Sequence, residues 1–156
     1  LGAVVGVLLL VIVAYMLVGS TLSTAEIVTN AQKSVALQEQ TQVRTDFTII
    51  EANKEDDSNF NCTINNTGKE IISDFRHMDV IVYDSSTKDY QVFTYNPDKD
   101  LVIPGTWKIV SQGTDIIHHS ELDPGESYRI LVTTSGISPY WFQITTGNGV
   151  YASKLL

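Results

Sequence analysis

The hydrophobic pattern of the chain opens with an uninterrupted run, because none of the first 25 residues is Asp, Glu, Lys or Arg. As a helix that rises about 1.5 Å per residue, this run would span roughly 37 Å, which is enough to cross the hydrocarbon core of a bilayer. A secretory signal peptide fits poorly, because its apolar core is usually only about 7–15 residues long and follows a basic stretch. The run begins at Leu1 without Met, Lys or Arg before it, which suggests an N-terminus from which a basic leader has been removed.

The helical pattern continues past the uncharged run. Residues 26–44 contain no Gly or Pro, and apolar residues recur at helical spacing from Ile27 to Val35. We therefore expect one helix over residues 1–44, about 66 Å long. Its first half is apolar on every face, and its second half is apolar along one stripe only.

A helix that is apolar on every face must be buried, either in lipid or among copies of itself. One interpretation is a single-pass anchor for a surface domain. The other is a processed subunit that leaves the bilayer and packs into a fibre, where small side chains let neighbouring backbones approach closely. In the second interpretation the polymerisation core consists of Leu1, Gly2, Ala3, Gly6, Leu8, Leu10, Ile12, Ala14, Tyr15, Leu17, Gly19 and Leu22.

From Thr45 the apolar period changes from 3.6 to 2, as in strands with one buried face. The alternating sets are Phe47 and Ile49; Phe60, Cys62 and Ile64; Met78, Val80 and Val82; Tyr90 and Val92; Tyr128, Ile130 and Val132; and Phe142 and Ile144. Turn signals separate them at Asn66-Thr67-Gly68, Asn96-Pro97-Asp98, Pro104-Gly105, Asp123-Pro124-Gly125 and Gly147-Asn148-Gly149. The predicted fold is α+β: a long hydrophobic helix over residues 1–44, followed over residues 45–156 by a surface-exposed antiparallel β-sandwich of immunoglobulin-like type.

Charge and cysteine content narrow the function classes. The 156 residues carry 18 acidic and 10 basic side chains, a net charge of −8, which argues against a nucleic-acid binder. One cysteine excludes an intramolecular disulfide framework and a Cys-rich metal site. Cys62 shares its alternating face with Phe60 and Ile64, so we interpret it as a core side chain.

The opposite face of the same predicted strand carries two N-glycosylation acceptor sequences. Asn61-Cys62-Thr63 and Asn65-Asn66-Thr67 both fit the triplet. Asn61 and Asn65 point outward if Phe60 and Ile64 point inward, so both are glycosylation candidates.

Aromatic residues concentrate later in the chain, and we interpret them as core and rim rather than as an adhesive patch. They are Trp107, Tyr128, Tyr140, Trp141, Phe142 and Tyr151.

The residue types do not support catalysis or metal binding. His77, His118 and His119 have no accompanying metal-ligand spacing, and the acidic run at residues 51–57 lacks the Gly and final Glu of a calcium loop. We interpret that run as a solvated loop. Phosphate-binding and nucleophile-elbow motifs are absent from the sequence, so we expect no enzyme activity, cofactor or metal.

Together these features resemble the archaellins, the filament subunits of the archaeal swimming organelle, within the type IV pilin-like superfamily. The local patterns that carry the resemblance are Ile64-Asn65-Asn66-Thr67-Gly68 followed by Phe75 and Asp79-Val80-Ile81-Val82-Tyr83; the turn Leu122-Asp123-Pro124-Gly125-Glu126 before Tyr128-Arg129-Ile130-Leu131-Val132; and a terminal strand pair around Gly147-Asn148-Gly149-Val150. Pro124, Gly125 and Glu126 form the family-like turn. Val5 stands where many bacterial type IV pilins have Glu, which points away from the bacterial pilins.

The resemblance implies a structural subunit of an archaellum filament, a helical homopolymer for swimming that forms through the N-terminal helix. Its implied partners are other copies of itself, a leader peptidase, the archaellum assembly ATPase with its membrane platform, and the inner membrane before assembly. The assembled filament would be extracellular, at the cell surface. An accessory pilin-like stator or anchor protein of the archaellum, or an adhesive archaeal type IV pilin, would share this layout.

Overall fold

The computed structural model describes residues 1–57, 59–98, 100–113 and 117–156. Two compact units emerge, Leu1–Gln40 and Thr41–Leu156. One helix, α1 (Gly2–Arg44), precedes eight strands and a single turn of 3-10 helix at Phe75–His77. The strands are β1 (Phe47–Lys54), β2 (Asn59–Asn66), β3 (Asp79–Asp84), β4 (Asp89–Tyr95), β5 (Thr106–Ser111), β6 (Ser127–Thr133), β7 (Pro139–Thr145) and β8 (Tyr151–Leu155).

Helix α1 is continuous, as its pattern predicts. Hydroxyl groups in its second quarter and beyond donate back to carbonyls of the preceding turn: Thr21 Oγ1 to Leu17 O at 3.0 Å, and Thr29 Oγ1 to Ala25 O at 2.8 Å. These bonds satisfy the hydroxyls without any partner outside the helix. None of the residues of α1 is buried, and its most apolar stretch has a mean hydropathy of 2.7, so by length and composition it could cross a membrane.

The strands form one sheet in the order β1-β2-β6-β5-β4-β3-β7-β8. Its two ends approach each other, because Lys154 Nζ on β8 donates to the carbonyls of Ile49 and Ile50 on β1, at 3.3 and 2.6 Å. The predicted α+β fold, a long helix followed by a sandwich, is confirmed. One pair departs from the antiparallel expectation, since β4 and β5 are parallel and pair only at Thr94 with Thr106 and at Tyr95 with Trp107.

The core lies between the inner faces of the folded sheet. Phe60 and Cys62 have no exposed surface and Ile64 is 1% exposed, which confirms the predicted inward face of β2. Burial raises the pKa of the Cys62 thiol to about 12, so this cysteine is an inert core side chain. The largest fully buried side chains include Trp107, Tyr128, Phe93, Phe142, Met78 and Leu122.

Strand β4 presents the face opposite to the one predicted. Tyr90 and Val92 are 60% and 58% exposed, while Phe93 is 1% exposed and lies opposite Val80 on the inner face. Two adjacent apolar residues, Val92 and Phe93, make the alternation ambiguous, and the larger ring takes the buried position because it removes more apolar surface from water.

Two further sequence expectations are wrong in part. The acidic run is not wholly a loop, because residues 51–54 belong to β1 and only residues 55–57 lie in the turn. Asn61 is not an exposed position: it is 9% exposed, and its Nδ2 donates to Glu55 Oε1 at 2.5 Å across the β1–β2 turn. The alternation of apolar residues shows which face of a strand a residue occupies. It does not show that Asn61 bonds to the side chain of Glu55, six residues earlier, and is covered there.

Asp84, at the end of β3, is a buried carboxylate held entirely by donors. Its Oδ1 accepts hydrogen bonds from the backbone N–H groups of Ser86 and Ser138, each at 2.9 Å, and from Ser86 Oγ at 2.6 Å. Thr87 Oγ1 donates to Oδ2 at 2.7 Å. The hydrogen bond from Ser86 Oγ, followed by the others, holds the pKa of Asp84 well below its ordinary value.

We expect the β-domain to lose stability in acid through Asp84. Unfolded Asp84 binds a proton near its ordinary pKa of about 3.9, whereas folded Asp84 does so only at lower pH, so the free energy of unfolding falls as the pH drops below about 4. In the Asp84→Asn variant this component of the pH dependence disappears. Thermal unfolding of the full-length protein in detergent, measured between about pH 2 and 7, tests this. Equal slopes for wild type and variant would contradict it.

Candidate functional site

The candidate polymerisation core is exposed to solvent in the isolated chain. Every residue of this set is exposed, from Leu1 at the N-terminus to Leu22. A Cβ atom added at Gly2, Gly6 or Gly19 would meet nothing within 4 Å. The chain itself therefore gives no packing reason for these glycines, and they leave the helix backbone open to close approach by another molecule.

Charge begins abruptly on the same helix. Glu26 is the first charged side chain, and the two acidic and two basic residues of 26–44 cancel. The whole net charge of −8 therefore belongs to residues 45–156. The uncharged half of the helix and the acidic β-domain suit two different environments.

The two family-like motifs of the β-domain meet at one buried side chain, Asn66. It has no exposed surface, and its Nδ2 donates to the carbonyls of Glu70 and Leu122, each at 2.8 Å. Its Oδ1 accepts from the N–H of Gly68 at 3.0 Å. Its backbone exchanges two more bonds with the turn, Asn66 N to Glu126 O at 3.0 Å and Gly125 N to Asn66 O at 2.8 Å. A residue that looked like a turn former thus joins segments that are far apart in the chain.

The same motif holds the chain where α1 ends. Thr67 N and Gly68 N donate to Asp46 O at 3.0 and 2.9 Å, and Lys69 N donates to Arg44 O at 2.8 Å. A Cβ on Gly68 would collide with the backbone N of Asp46 and lie 2.6 Å from Arg44 O. Glycine is required here because two backbones touch.

The turn Pro124-Gly125-Glu126 lies where its sequence predicts, directly before β6. Gly125 has a φ of +86°, and Glu126 N donates to Asp123 O at 3.0 Å, which closes a tight turn. Asp123 is 4% exposed and accepts from the ring of His118, with 2.9 Å between Nδ1 and Oδ1. This hydrogen bond, with the charge of Asp123, raises the pKa of His118.

The two glycosylation candidates differ in their surroundings. Asn61 is covered and bonded to Glu55, whereas the half-buried Asn65 has a side-chain oxygen, Oδ1, without a hydrogen-bond partner.

The aromatic residues of the later part of the chain divide between the core and the surface. Trp107, Tyr128 and Phe142 belong to the core, while Tyr140 and Tyr151 are 53% and 65% exposed and Trp141 is half-buried.

Two of the histidines contact carboxylates that lie close to them in the sequence. Within residues 1–57, 59–98, 100–113 and 117–156, no three His, Cys, Asp or Glu side chains come together in a way that could hold a metal ion. His77 contacts Asp74 with 2.7 Å between Nδ1 and Oδ2, on the surface. His77 with Asp74, like His118 with Asp123, is therefore a local hydrogen-bonded pair between residues three to five positions apart.

Comparison with known proteins identifies the family. The model of the archaeal-type flagellin family matches residues 3–153. Among solved structures, the chain is similar to the archaellum periplasmic stator protein FlaG from Sulfolobus acidocaldarius at 22% identity, with a TM-score of 0.55, over 72% of this chain and 99% of that one. It is also similar to a chain of the FlaF and FlaG stator complex from the same organism at 22% identity, with a TM-score of 0.55, over 70% of this chain and 87% of that one.

No curated protein sequence matches the chain. At 22% identity the likeness to the stator structures shows the fold alone. The family match is of a different kind, because it runs through both the apolar helix and the β-domain. The family consists of structural proteins of the archaellum and not of enzymes. Since the match spans nearly the whole sequence, this chain belongs to the archaeal-type flagellin family.

Proposed function

We propose that this protein is a structural subunit of an archaellum filament, which polymerises through residues 1–22 of its helix and serves swimming motility. The observation that carries the proposal is the apolar half of α1, which is uncharged over 25 residues and has no buried residue in the isolated chain. Such a surface needs either lipid or many neighbouring helices around it. A helix used only as an anchor would satisfy this need in lipid alone.

The path to the filament follows from the same helix. Before assembly, residues 1 to about 23 lie in the membrane, and Glu26 lies near its outer water boundary. Assembly exchanges lipid for other copies of the helix, and this exchange gains mainly close packing because lipid tails are as apolar as leucine. A leader peptidase that exposes the N-terminus and an ATP-driven assembly platform in the membrane are the partners that this route requires.

Head-to-tail contacts between copies, in which two different surfaces meet, give an open helical polymer when the rotation does not close a ring. The β-domains would then face the water outside the cell. Their net charge of −8, with sugars on Asn65 and Asn61 where these are modified, would keep filaments from sticking to one another.

Electron microscopy of material sheared from cells, combined with the intact mass of the dissociated subunit, tests this function. We expect thin helical filaments composed chiefly of this 17.2 kDa chain. Additional mass on the subunit would report glycans, and its loss in a Thr67→Ala variant would assign them to Asn65. A sheared fraction that contains filaments but not this chain would contradict the proposal.

A stator or anchor role is the second candidate, and the fold match with the FlaG stator structures favours it. Copy number separates the two roles. A stator is scarce and stays with the cell body after shearing, whereas a filament subunit dominates the sheared fraction. Quantitative immunoblotting of both fractions from the same culture measures the ratio directly.

A further inference from the structure

Three consecutive apolar residues protrude from the loop between β4 and β5. Leu101, Val102 and Ile103, which we call the apolar knob, are 54%, 56% and 43% exposed. A run of this kind on a surface is a liability unless something covers it. The parallel pairing of β4 with β5 places the knob here, because the chain must turn back between residues 96 and 105 to start β5 beside the end of β4.

The backbone of the knob is held firmly by polar side chains beneath it. The carbonyl of Leu101 accepts from Asn96 Nδ2 and from Lys108 Nζ, each at 3.2 Å, and both donors are only 7% exposed. At the other end Thr106 Oγ1 donates to Ile103 O at 2.7 Å. These bonds fix the loop with its three apolar side chains in water, and such preorganisation lowers the entropy lost on binding.

A second apolar surface lies on the outer side of the sheet. The pairing registers place Tyr90, Tyr83, Trp141 and Leu155 in one row across β4, β3, β7 and β8, and Val92, Ile81, Gln143 and Ser153 in the next. We call these eight residues the aromatic face. None of the eight is charged, on a domain that carries the whole net charge of −8.

The rings of the aromatic face support one another but stay accessible. Tyr90 lies 5.1 Å from Tyr83 and 6.2 Å from Trp141 between ring centroids, and the second contact is edge to face. Tyr90, Val92 and Leu155 are 60%, 58% and 58% exposed. Large rings held in place by neighbours resemble the anchors that dominate protein interfaces.

The knob and the row that contains Tyr90 lie at opposite ends of β4. Tyr90 is the second residue of β4, and the knob belongs to the loop that follows the last residue, Tyr95. About 17 Å of extended chain separates Tyr90 from Tyr95. A single copy carries both surfaces but displays them at different places. Two unlike surfaces on one chain that bind each other make a head-to-tail contact, which repeats as an open helix when the rotation between copies does not close a ring.

We propose that, within the filament, the apolar knob of one copy docks on the aromatic face of the next copy. This inference rests on the proposed filament function. Charge favours this occupant, because β-domains with a net charge of −8 repel one another, and these uncharged surfaces are where two copies can touch without pairing like charges. The aromatic face covers only a few hundred Å², below the roughly 800 Å² per partner of a stable complex. The contact therefore needs the helices to hold the domains together at high effective concentration.

A charge exchange between the two surfaces tests the contact in the full chain. Val102→Asp places a charge on the knob, and Val92→Lys places the opposite charge on the aromatic face. The control is Val110→Asp, at a position that is 47% exposed and belongs to neither surface. The measurement is the fraction of subunit released from sheared filaments at a fixed temperature and detergent concentration, with motility scored in parallel.

We expect each single variant to release roughly tenfold more subunit than wild type, as loss of an interface anchor does. The double variant should recover toward wild type, because every Asp then meets a Lys, and Val110→Asp should behave as wild type. Normal filaments from both single variants would overturn the contact and leave the filament function standing. If Val92→Lys filaments released more subunit while Val102→Asp filaments behaved as wild type, the knob would have no role, and the result would favour contact between two aromatic faces. Absence of the wild-type chain from sheared filaments would overturn both proposals.

Discussion

The Gly6→Asp variant is expected to make no filaments while its β-domain stays folded. Gly6 lies in the uncharged run, and apart from its chain neighbours and the nearby backbone of its own helix, no atom of the described residues lies within 4 Å of the Cβ that a substitution adds. The aspartate therefore fits the isolated subunit without strain. On insertion scales a charge inside a bilayer-spanning helix costs up to about 2.5–3.5 kcal/mol, the value at the helix centre, and each copy would bring one such charge into a filament core.

The matched control is Gly6→Ala, which adds a methyl group of the same apolar character as its surroundings and raises helix propensity. Electron microscopy of sheared material should show filaments from Gly6→Ala and none from Gly6→Asp. Both proteins, extracted in detergent, should melt at the wild-type temperature, since the core of the β-domain is formed by residues between Phe47 and Ile144. Normal filaments from Gly6→Asp would refute a buried core of packed helices.

The sequence predicts the helix and the strands in which the period of apolar residues by itself decides the structure. The helix is predicted because an uncharged apolar run over residues 1–25 is followed by residues 26–44, which contain no Gly or Pro and keep the helical period. Strands β2, β3, β6 and β7 are predicted because apolar residues occupy every second position on one face of each, and those positions are buried. The period of apolar residues identifies such segments without any knowledge of their neighbours.

Prediction fails where neighbouring strands decide the outcome. Strand β5 has Trp107, Lys108 and Ile109 buried in succession, so its period resembles neither a helix nor a half-buried strand. Lys108 is buried because its Nζ donates to Leu101 O in the loop between β4 and β5. This loop has its course because β4 and β5 are parallel, and the local sequence does not predict a parallel pair. The alternation of Tyr90 with Val92 does not predict their exposed face, because the larger Phe93 takes the inner position opposite Val80 on β3.

The candidate sites divide along the same line. The polymerisation core proposed for residues 1–22 rests on composition alone, because a helix segment without charged residues must be covered by lipid or protein on every face. The knob and the aromatic face combine residues from four strands and a loop, and the sequence alone does not show that the rows of the aromatic face lie side by side, because the pairing registers decide this. Asn66 looked like an ordinary turn residue because one of its partners, Leu122, lies 56 residues away.

Replacement of Asn66 by alanine is expected to lower the free energy of unfolding of the β-domain by about 3–4 kcal/mol. The side chain is fully buried and makes three hydrogen bonds, two as donor and one as acceptor. Alanine removes all three bonds, and each is worth about 0.5–1.5 kcal/mol. The carbonyl of Glu70 loses its amide donor, whereas the carbonyl of Leu122 still accepts from Ile72 N at 3.1 Å and Gly68 N still donates to Asp46 O at 2.9 Å. Thermal and denaturant unfolding of the full-length protein in detergent measures the change.

Two further variants separate the hydrogen bonds of Asn66 from its volume. Asn66→Asp keeps the shape and the bond from Gly68 N, but it sets a carboxylate against the two carbonyls that the amide served. Its deficit relative to wild type should shrink between about pH 7 and 5, because a protonated carboxyl can donate one of the lost bonds and its pKa is raised by burial. Asn53→Ala, at an exposed position on β1, is the control and should cost less than about 0.5 kcal/mol. If Asn66→Ala were as mild as Asn53→Ala, the strands alone would hold the two motifs together. The expected large loss would instead mean that one amide fixes both the turn before β6 and the backbone that receives the end of the helix.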